Sequence, residues 1–285
     1  MDDMKRSYRA NAKINWALNI VGRRADGYHL LDMVMQSIDL CDTLTVEPAE
    51  ANSLWIDGAG PAGEDNLVLQ AAEALNRHAG VRRCARMTLT KRIPARAGLG
   101  GGSADCALAL RVLNALWGLA LSDAQLLAIG ERLGADVPFC LTGGLARVRG
   151  IGERIEPVPN APEIPLVLVT PGDGLSTAEV FRLWDGGGYP EVTLDGAALA
   201  DAVARRDLAA IDRLCANALT APAVALMPGI GRLIGDMRAL GAGAAFMTGS
   251  GSTVVGAFSD EADARRAAER LPGAILTKTL PGLTP

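Results

Sequence analysis

The chain has 285 residues, of which 49% are hydrophobic and 4% aromatic, with a formal net charge of −4. That length buries one large core or two modest ones, and the scarcity of rings leaves small and aliphatic side chains to fill them. A mildly acidic chain lacks the protein-wide field that gathers DNA or RNA, so no nucleic-acid partner is expected and any anionic ligand needs a local device.

The opening Met1-Asp2-Asp3-Met4-Lys5-Arg6 leads into polar sequence, unlike the apolar core of a secretory signal. No uninterrupted apolar run approaches the roughly 18 residues of a membrane span, and the expectation is a cytoplasmic protein with no membrane partner. Cys41, Cys84, Cys106, Cys140 and Cys215 are odd in number and scattered, without C-x-x-C spacing. Reduced, mostly buried thiols follow, and with only His29 and His78 in the chain no protein-held metal is expected.

In chain order, Asn11 to Ile20 alternates: Ala12, Ile14, Trp16, Leu18 and Ile20 on one face, Asn11, Lys13, Asn15 and Asn19 on the other, with Ala17 breaking the polar row. Period two means a strand. Its polar face is either a solvated antiparallel face or a row of amides and one ammonium set out for a ligand. A helix is predicted from an Asp65 N-cap, with Leu67, Ala71, Ala72 and Leu75 inward and Gly80 at its end. A strand follows with Met87, Leu89 and Ile93 on one face.

Pro94 breaks that strand, glycines run from Gly98 to Gly102, and an Ala- and Leu-rich helix is predicted over Ala104 to Trp117. Glycines entering a helix leave backbone N–H groups unobstructed and aim them, with the positive end of the helix dipole, at one point; that point attracts phosphate. A P-loop would need a lysine after Gly102, and a dinucleotide fingerprint a glycine where Ser103 stands.

Ser122 with Gln125 forms a capping box for a helix through Leu133, after which Gly134 leads into a turn that carries Asp136. Prolines 157, 159, 162 and 165 mark the expected seam, giving domains 1–158 and 159–285. Beyond it come a strand at Leu166 to Thr170, a short helix capped by Ser176 and Glu179, and helices over Ala197 to Arg205, Leu208 to Ala216 and Gly231 to Leu240. Strands at Ala244 to Thr248 and Thr253 to Phe258 flank a Gly-Ser turn, and a helix over Glu261 to Leu271 precedes a last strand near Ala274 to Thr279. This mixture reads as α+β.

Pro94-Ala95-Arg96-Ala97-Gly98-Leu99-Gly100-Gly101-Gly102-Ser103-Ala104-Asp105 resembles the phosphate-loop signature of the GHMP kinases. Ala12-Lys13-Ile14-Asn15 and Met247-Thr248-Gly249-Ser250-Gly251-Ser252-Thr253-Val254 are similar to that superfamily's other motifs. Within it, Arg24-Ala25-Asp26-Gly27-Tyr28-His29 and Gly134-Ala135-Asp136-Val137-Pro138-Phe139 resemble the diphosphocytidyl-methylerythritol kinase family. The resemblance implies a two-domain fold, ribosomal-protein-S5-like then ferredoxin-like, and transfer of the γ-phosphate of ATP to the 2-hydroxyl of 4-diphosphocytidyl-2-C-methyl-D-erythritol, a step of non-mevalonate isoprenoid biosynthesis.

By the same resemblance Lys13 and Asp136 are the catalytic pair and residues 94–104 hold ATP. Asn15 orients the methylerythritol end, Tyr28 and His29 read cytosine, and Thr177 and Phe181 close the cytidine pocket. Read from its spacing alone, Phe181 belongs to a core. Mg²⁺ is implied as arriving with the nucleotide, and the expected state is a monomer or weak homodimer. Arg96, Trp16 and Asp105 depart from the commoner family pattern; Asp105 stands where some members carry Asn. Two other readings remain open: a related kinase acting on homoserine, mevalonate or a sugar, and a nucleotide-binding protein without turnover.

Overall fold

The computed structural model describes residues 6–58 and 63–282. Strands β1 (Arg6–Arg23) and β2 (His29–Pro48) form a long antiparallel hairpin. With β3 (Ser53–Asp57), β4 (Ala85–Thr90), β5 (Leu145–Gly150) and β6 (Arg154–Val158) they make a six-stranded sheet of order β3-β4-β2-β5-β6, with β1 on β2. The parallel pair β3 and β4 is joined through α1 (Leu67–Ala79).

The second sheet has order β10-β7-β9-β8, built from β7 (Pro165–Val169), β8 (Ala244–Met247), β9 (Val254–Ala257) and β10 (Ile275–Lys278). Helices α5 (Thr177–Asp185), α6 (Gly196–Ala204), α7 (Leu208–Leu214), α8 (Thr220–Leu226) and α9 (Gly229–Ala239) lie between β7 and β8, and α10 (Glu261–Ala268) between β9 and β10. The resulting strand–helix–strand–strand–helix–strand order is the ferredoxin-like arrangement. The first sheet's last strand ends at Val158 and the second sheet's first begins at Pro165.

Hairpin β1–β2 joins the two halves, which explains why the expected alternation of β1 is only half right. From Ala10 to Leu18 every residue is buried. Ala12, Ile14, Trp16 and Ala17 pack with Leu166, Leu168 and Phe246 of the second sheet, whereas Ala10 and Leu18 face the helices. Register shifts at Asn11/Lys13 and Asn15/Ala17 cause the exchange: an extra residue in a strand turns every later side chain over. Leu18 therefore shares the side of Lys13 and Asn15 instead of that of Trp16. The indole of Trp16 is accommodated by a hydrogen bond from its Nε1 to Gln36 Oε1 (2.9 Å) and by the Phe246 ring 5.2 Å away.

Helix α2 (Gly101–Leu116) begins inside the glycine run, three residues earlier than its Ala-rich stretch suggested. It is buried on most sides among α1, α3 (Asp123–Leu133), α4 (Val137–Thr142) and the first sheet. Leu110 at its centre is fully buried. Truncation Leu110→Ala is expected to cost about 2–5 kcal/mol, read as a fall in the denaturation midpoint with an unchanged denaturant slope.

The α3 capping box forms as read, with Gln125 Oε1 accepting from the Ser122 N–H at 2.9 Å. Two other caps differ. The N-cap of α1 is Asn66, whose Oδ1 accepts from the Val68 N–H (2.9 Å), while Asp65 ends a 3-10 turn over Gly63–Asp65. Ser176 precedes α5 without a side-chain cap bond, because the hydroxyl that finds a partner is that of Thr177, 2.8 Å from Ser250 Oγ.

Candidate active site

Strand β1 turns Lys13 into the cavity on the face opposite Trp16, and the phosphate loop hangs on the same residue: the Lys13 N–H donates to Leu99 O at 3.0 Å. The Gly100 backbone has a positive φ of 70°, and a Cβ there would lie 2.8 Å from Lys13 Cε. Glycine at this point lets the lysine stem pass across the loop. Gly98 meets the Gly-Ser turn of the second half in the same way; its Cβ would lie 2.5 Å from Thr248 O. Thr248 Oγ1 accepts from the Asn15 N–H (2.7 Å), and the Asn217 amide donates to Met247 O and Gly249 O. Three segments distant in sequence are thus tied into one rim.

The Lys13 side chain is 5% exposed; its Nζ donates to Asn15 Oδ1 at 2.7 Å and faces Asp136 Oδ2 at 3.2 Å. Asp136 is the N-cap of α4 and makes no side-chain cap bond, so its carboxylate is free to face the ammonium. The short helix that begins beside it was not foreseen. Val137 and Pro138 open its first turn, and Gly130 of α3 leaves room for Val137, with 2.9 Å between Val137 Cγ1 and a Cβ placed there.

Lys13, Asn15 and Asp136 line a cavity of about 550 Å³ together with all the residues from Pro94 to Ser103, Thr177 and Phe181. Ala104 lies just behind this wall and is buried. Arg96 is exposed at the rim with a positive φ of 54°, and its carbonyl accepts from the Leu175 N–H (3.2 Å). Tyr28 is 61% exposed and stands outside the cavity lining, as does His29. The His29 ring stacks on Phe181 at 4.7 Å, meets Trp184 edge-on at 5.7 Å, and shares a hydrogen bond with Asp185 Oδ1 at 2.8 Å. Phe181 is therefore both a packing residue of α5 and part of the cavity wall.

Sequence reasoning missed the far end of the cavity, lined by Asn66, Leu67, Leu89, Lys91 and Asp105. There the Lys91 ammonium bonds both Asp42 and Asp105, the latter at 2.6 Å, with side chains only 10%, 0% and 4% exposed respectively. Burial alone would lower the Lys91 pKa, but the two carboxylates raise it above the usual value. Burial also pushes the Asp105 carboxyl up to about 7, with Asp42 adding to the rise against the pull of Lys91. The one available signal was an aspartate inside an apolar helix start. The thiols Cys106 and Cys140 lie buried nearby; burial pushes the Cys106 thiol up to about 12 and that of Cys140 higher still, which leaves them unreactive. All five cysteines are free.

Residues 66–144 match the model for the GHMP kinases N terminal domain and residues 199–275 that for the GHMP kinases C terminal domain. The chain is 46% identical over 264 residues to a 4-diphosphocytidyl-2-C-methyl-D-erythritol kinase of Pelotomaculum thermopropionicum, covering 92% of each. To the kinase of the same name in Granulibacter bethesdensis it is 44% identical, over 92% of this chain and 88% of the relative. A crystal structure of 4-(cytidine 5'-diphospho)-2C-methyl-D-erythritol kinase superposes with a TM-score of 0.82 at 38% identity, covering 98% of this chain and 100% of the other. Homoserine kinase from Cytophaga hutchinsonii shares the fold at a TM-score of 0.72 and 16% identity, covering 99% and 96%. With its paired lysine and aspartate beside a glycine loop, its two matched domains and relatives alike over nearly their whole length, this chain belongs to the 4-diphosphocytidyl-2-C-methyl-D-erythritol kinase family of GHMP kinases.

Proposed function

We propose that Lys13 and Asp136 carry the transfer of the γ-phosphate of ATP to the 2-hydroxyl of 4-diphosphocytidyl-2-C-methyl-D-erythritol. The observation that carries this reading is the 3.2 Å approach of the Lys13 ammonium to the Asp136 carboxylate in the cavity walled by the glycine loop. Phosphoryl transfer leaves a protein mainly positioning and charge stabilisation to supply. Asp136, 31% exposed on its side chain, accepts the proton of the acceptor hydroxyl as its oxygen attacks phosphorus. Lys13 holds Asp136 in place, and its ammonium offsets the charge on the transferring group. An ion pair of this kind on an open surface contributes little; here one partner is buried and both face the phosphate loop.

Residues 94–104 form the ATP loop, in which the main-chain N–H groups of the glycine run and the α2 N-terminus receive the triphosphate. Asn15, with its amide between Lys13 Nζ and the Met33 sulfur, is placed to bond the acceptor's hydroxyls. The stack of His29 on Phe181 supports a base-reading end at Tyr28, His29, Thr177 and Phe181. Mg²⁺ prefers oxygen ligands, keeps several waters and commonly arrives on substrate phosphates. That suits a cavity whose Asp136 is committed to Lys13 and where, among the described residues, no group of three or more His, Cys, Asp or Glu could hold a metal. When bound it neutralises charge on the phosphate oxygens. We also place the domain boundary at 158/159, between β6 and β7, and the protein in the cytoplasm.

The test is to incubate the protein with ATP, Mg²⁺ and a panel of the cytidyl substrate, homoserine, mevalonate and galactose, and to identify products by mass. Phosphorylation of the cytidyl substrate alone is expected. Preferential transfer to any other acceptor would remove the substrate assignment, and ADP formation without a phosphorylated acceptor would remove the transfer.

A further inference from the structure

The far end of the cavity holds two buried carboxylates and one ammonium, and its charge balances only if one carboxyl keeps a proton. Asp42 has no oxygen without a donor: its Oδ1 accepts the Arg92 and Ile93 N–H groups, the latter at 2.8 Å, and its Oδ2 accepts from Lys91. Asp105 accepts a single bond, from Lys91 to Oδ2 (2.6 Å), and its buried Oδ1 has no hydrogen-bond partner. A lone pair left bare in a buried site is costly for an anion and far less so for a neutral acid.

We infer that Asp105 is an affinity-determining residue of the nucleotide site, present as the neutral acid when the nucleotide binds, and that its ionisation weakens ATP. This rests on the reading of the glycine loop as the ATP site. Asp105 stands near the start of α2 and lines the same cavity as Gly98 to Ser103. An ionised Asp105 puts an uncompensated negative charge into that wall, where the low dielectric strengthens its repulsion of the triphosphate. It also competes with the phosphates for the positive end of the helix dipole.

The other ionisable groups around α2 do not supply this effect. Lys13 of β1 and Asp136 before α4 face the cavity as an opposed pair. Glu73, Arg77 and His78 of α1 and Asp123, Glu131 and Arg132 of α3 are exposed. The Cys106 and Cys140 thiols are held neutral by burial, which leaves Lys91 of the loop after β4 and Asp42 of β2 as the charges in contact with Asp105.

The sign follows from an upward shift: Asp105 is neutral below about 7 and anionic above it, so ATP affinity falls as pH rises through that range. KM for ATP is expected to rise on the order of tenfold from pH 6 to pH 8.5, one unit of pKa shift being a tenfold change. In Asp105→Asn, which keeps an oxygen for Lys91 but cannot ionise, KM for ATP should stay near its pH 6 value across the range. Titration of ATP itself acts equally on both proteins and cancels in their ratio.

A ratio of the two KM values that does not change with pH, in a protein that turns ATP over, would overturn the inference while sparing the donor assignment. Absence of ATP-dependent turnover at every pH would overturn both. Should Asp105→Asn fail to fold, calorimetric titration of the unaltered protein with a non-hydrolysable ATP analogue at pH 8, in two buffers of different ionisation heat, decides the matter. Net proton uptake on binding supports the proposal, and its absence refutes it.

Discussion

Asp136→Asn is expected to reduce kcat by roughly 10²–10⁴-fold while leaving the dissociation constant for ATP within a few-fold of its original value. The substitution keeps the size of the side chain and an oxygen that can accept from Lys13 Nζ, now 3.2 Å from the carboxylate. It removes only the negative charge and the basicity. The phosphate loop does not depend on that charge, because its main-chain N–H groups and the α2 N-terminus are fixed by Lys13 N–H to Leu99 O and by the Gly-Ser turn. A base in the transition state lowers kcat when lost, whereas a ground-state contact raises KM. Steady-state ADP release combined with equilibrium nucleotide binding separates the two. Undiminished kcat would take Asp136 out of the proton transfer.

Gly98→Ala should damage folding and nucleotide binding together. At a φ of 78° an L-residue is strained, and the added Cβ would lie 2.5 Å from Thr248 O and 3.0 Å from Gly251 O. Both neighbours are backbone atoms of a turn that is itself tied to Asn15 and Asn217, so neither moves without breaking the rim. A cost on the order of 2–4 kcal/mol follows from backbone strain plus overpacking, with KM for ATP raised at least about tenfold through the displaced loop. Gly102→Ala supplies the contrast, since its Cβ would meet only Leu67 Cδ1 at 3.8 Å. Its melting temperature should shift little. Equal melting temperatures for the two variants would show that the loop and the turn are not locked as described.

The parts of the site legible in the sequence were those whose chemistry is local. Glycines before a helix announce bare N–H groups wherever the fold puts them, and Ser122 with Gln125 or Gly80 at a helix end act over a single turn. The parts that stayed hidden depend on partners far along the chain. The long strand β2 shows no alternation because Asp32 through Ile38 are buried on both faces, one toward the helices and one toward the second sheet. The face change at Leu18 comes from bulges chosen by the pairing with β2, which no residue of β1 declares on its own. Lys91 reads as an ordinary cation after a strand until Asp42, 49 positions earlier, is seen beside it. Tyr28 lies outside the cavity because the 24–28 turn projects from the hairpin's end. Phe181, which spacing alone would have left in a core, does both things at once.

The central claim is that the Lys13–Asp136 pair, the glycine loop and the acceptor hydroxyl meet at one point in the cavity that the loop walls. The most direct measurement is a crystal structure of the protein with a non-hydrolysable ATP analogue and the cytidyl substrate. The account predicts the γ-phosphate over the loop from Gly98 to Ser103 and the 2-hydroxyl within hydrogen-bonding reach of Asp136, about 2.6–3.2 Å, with Lys13 beside both. A nucleotide bound elsewhere, or an acceptor whose hydroxyl points away from Asp136, would contradict it.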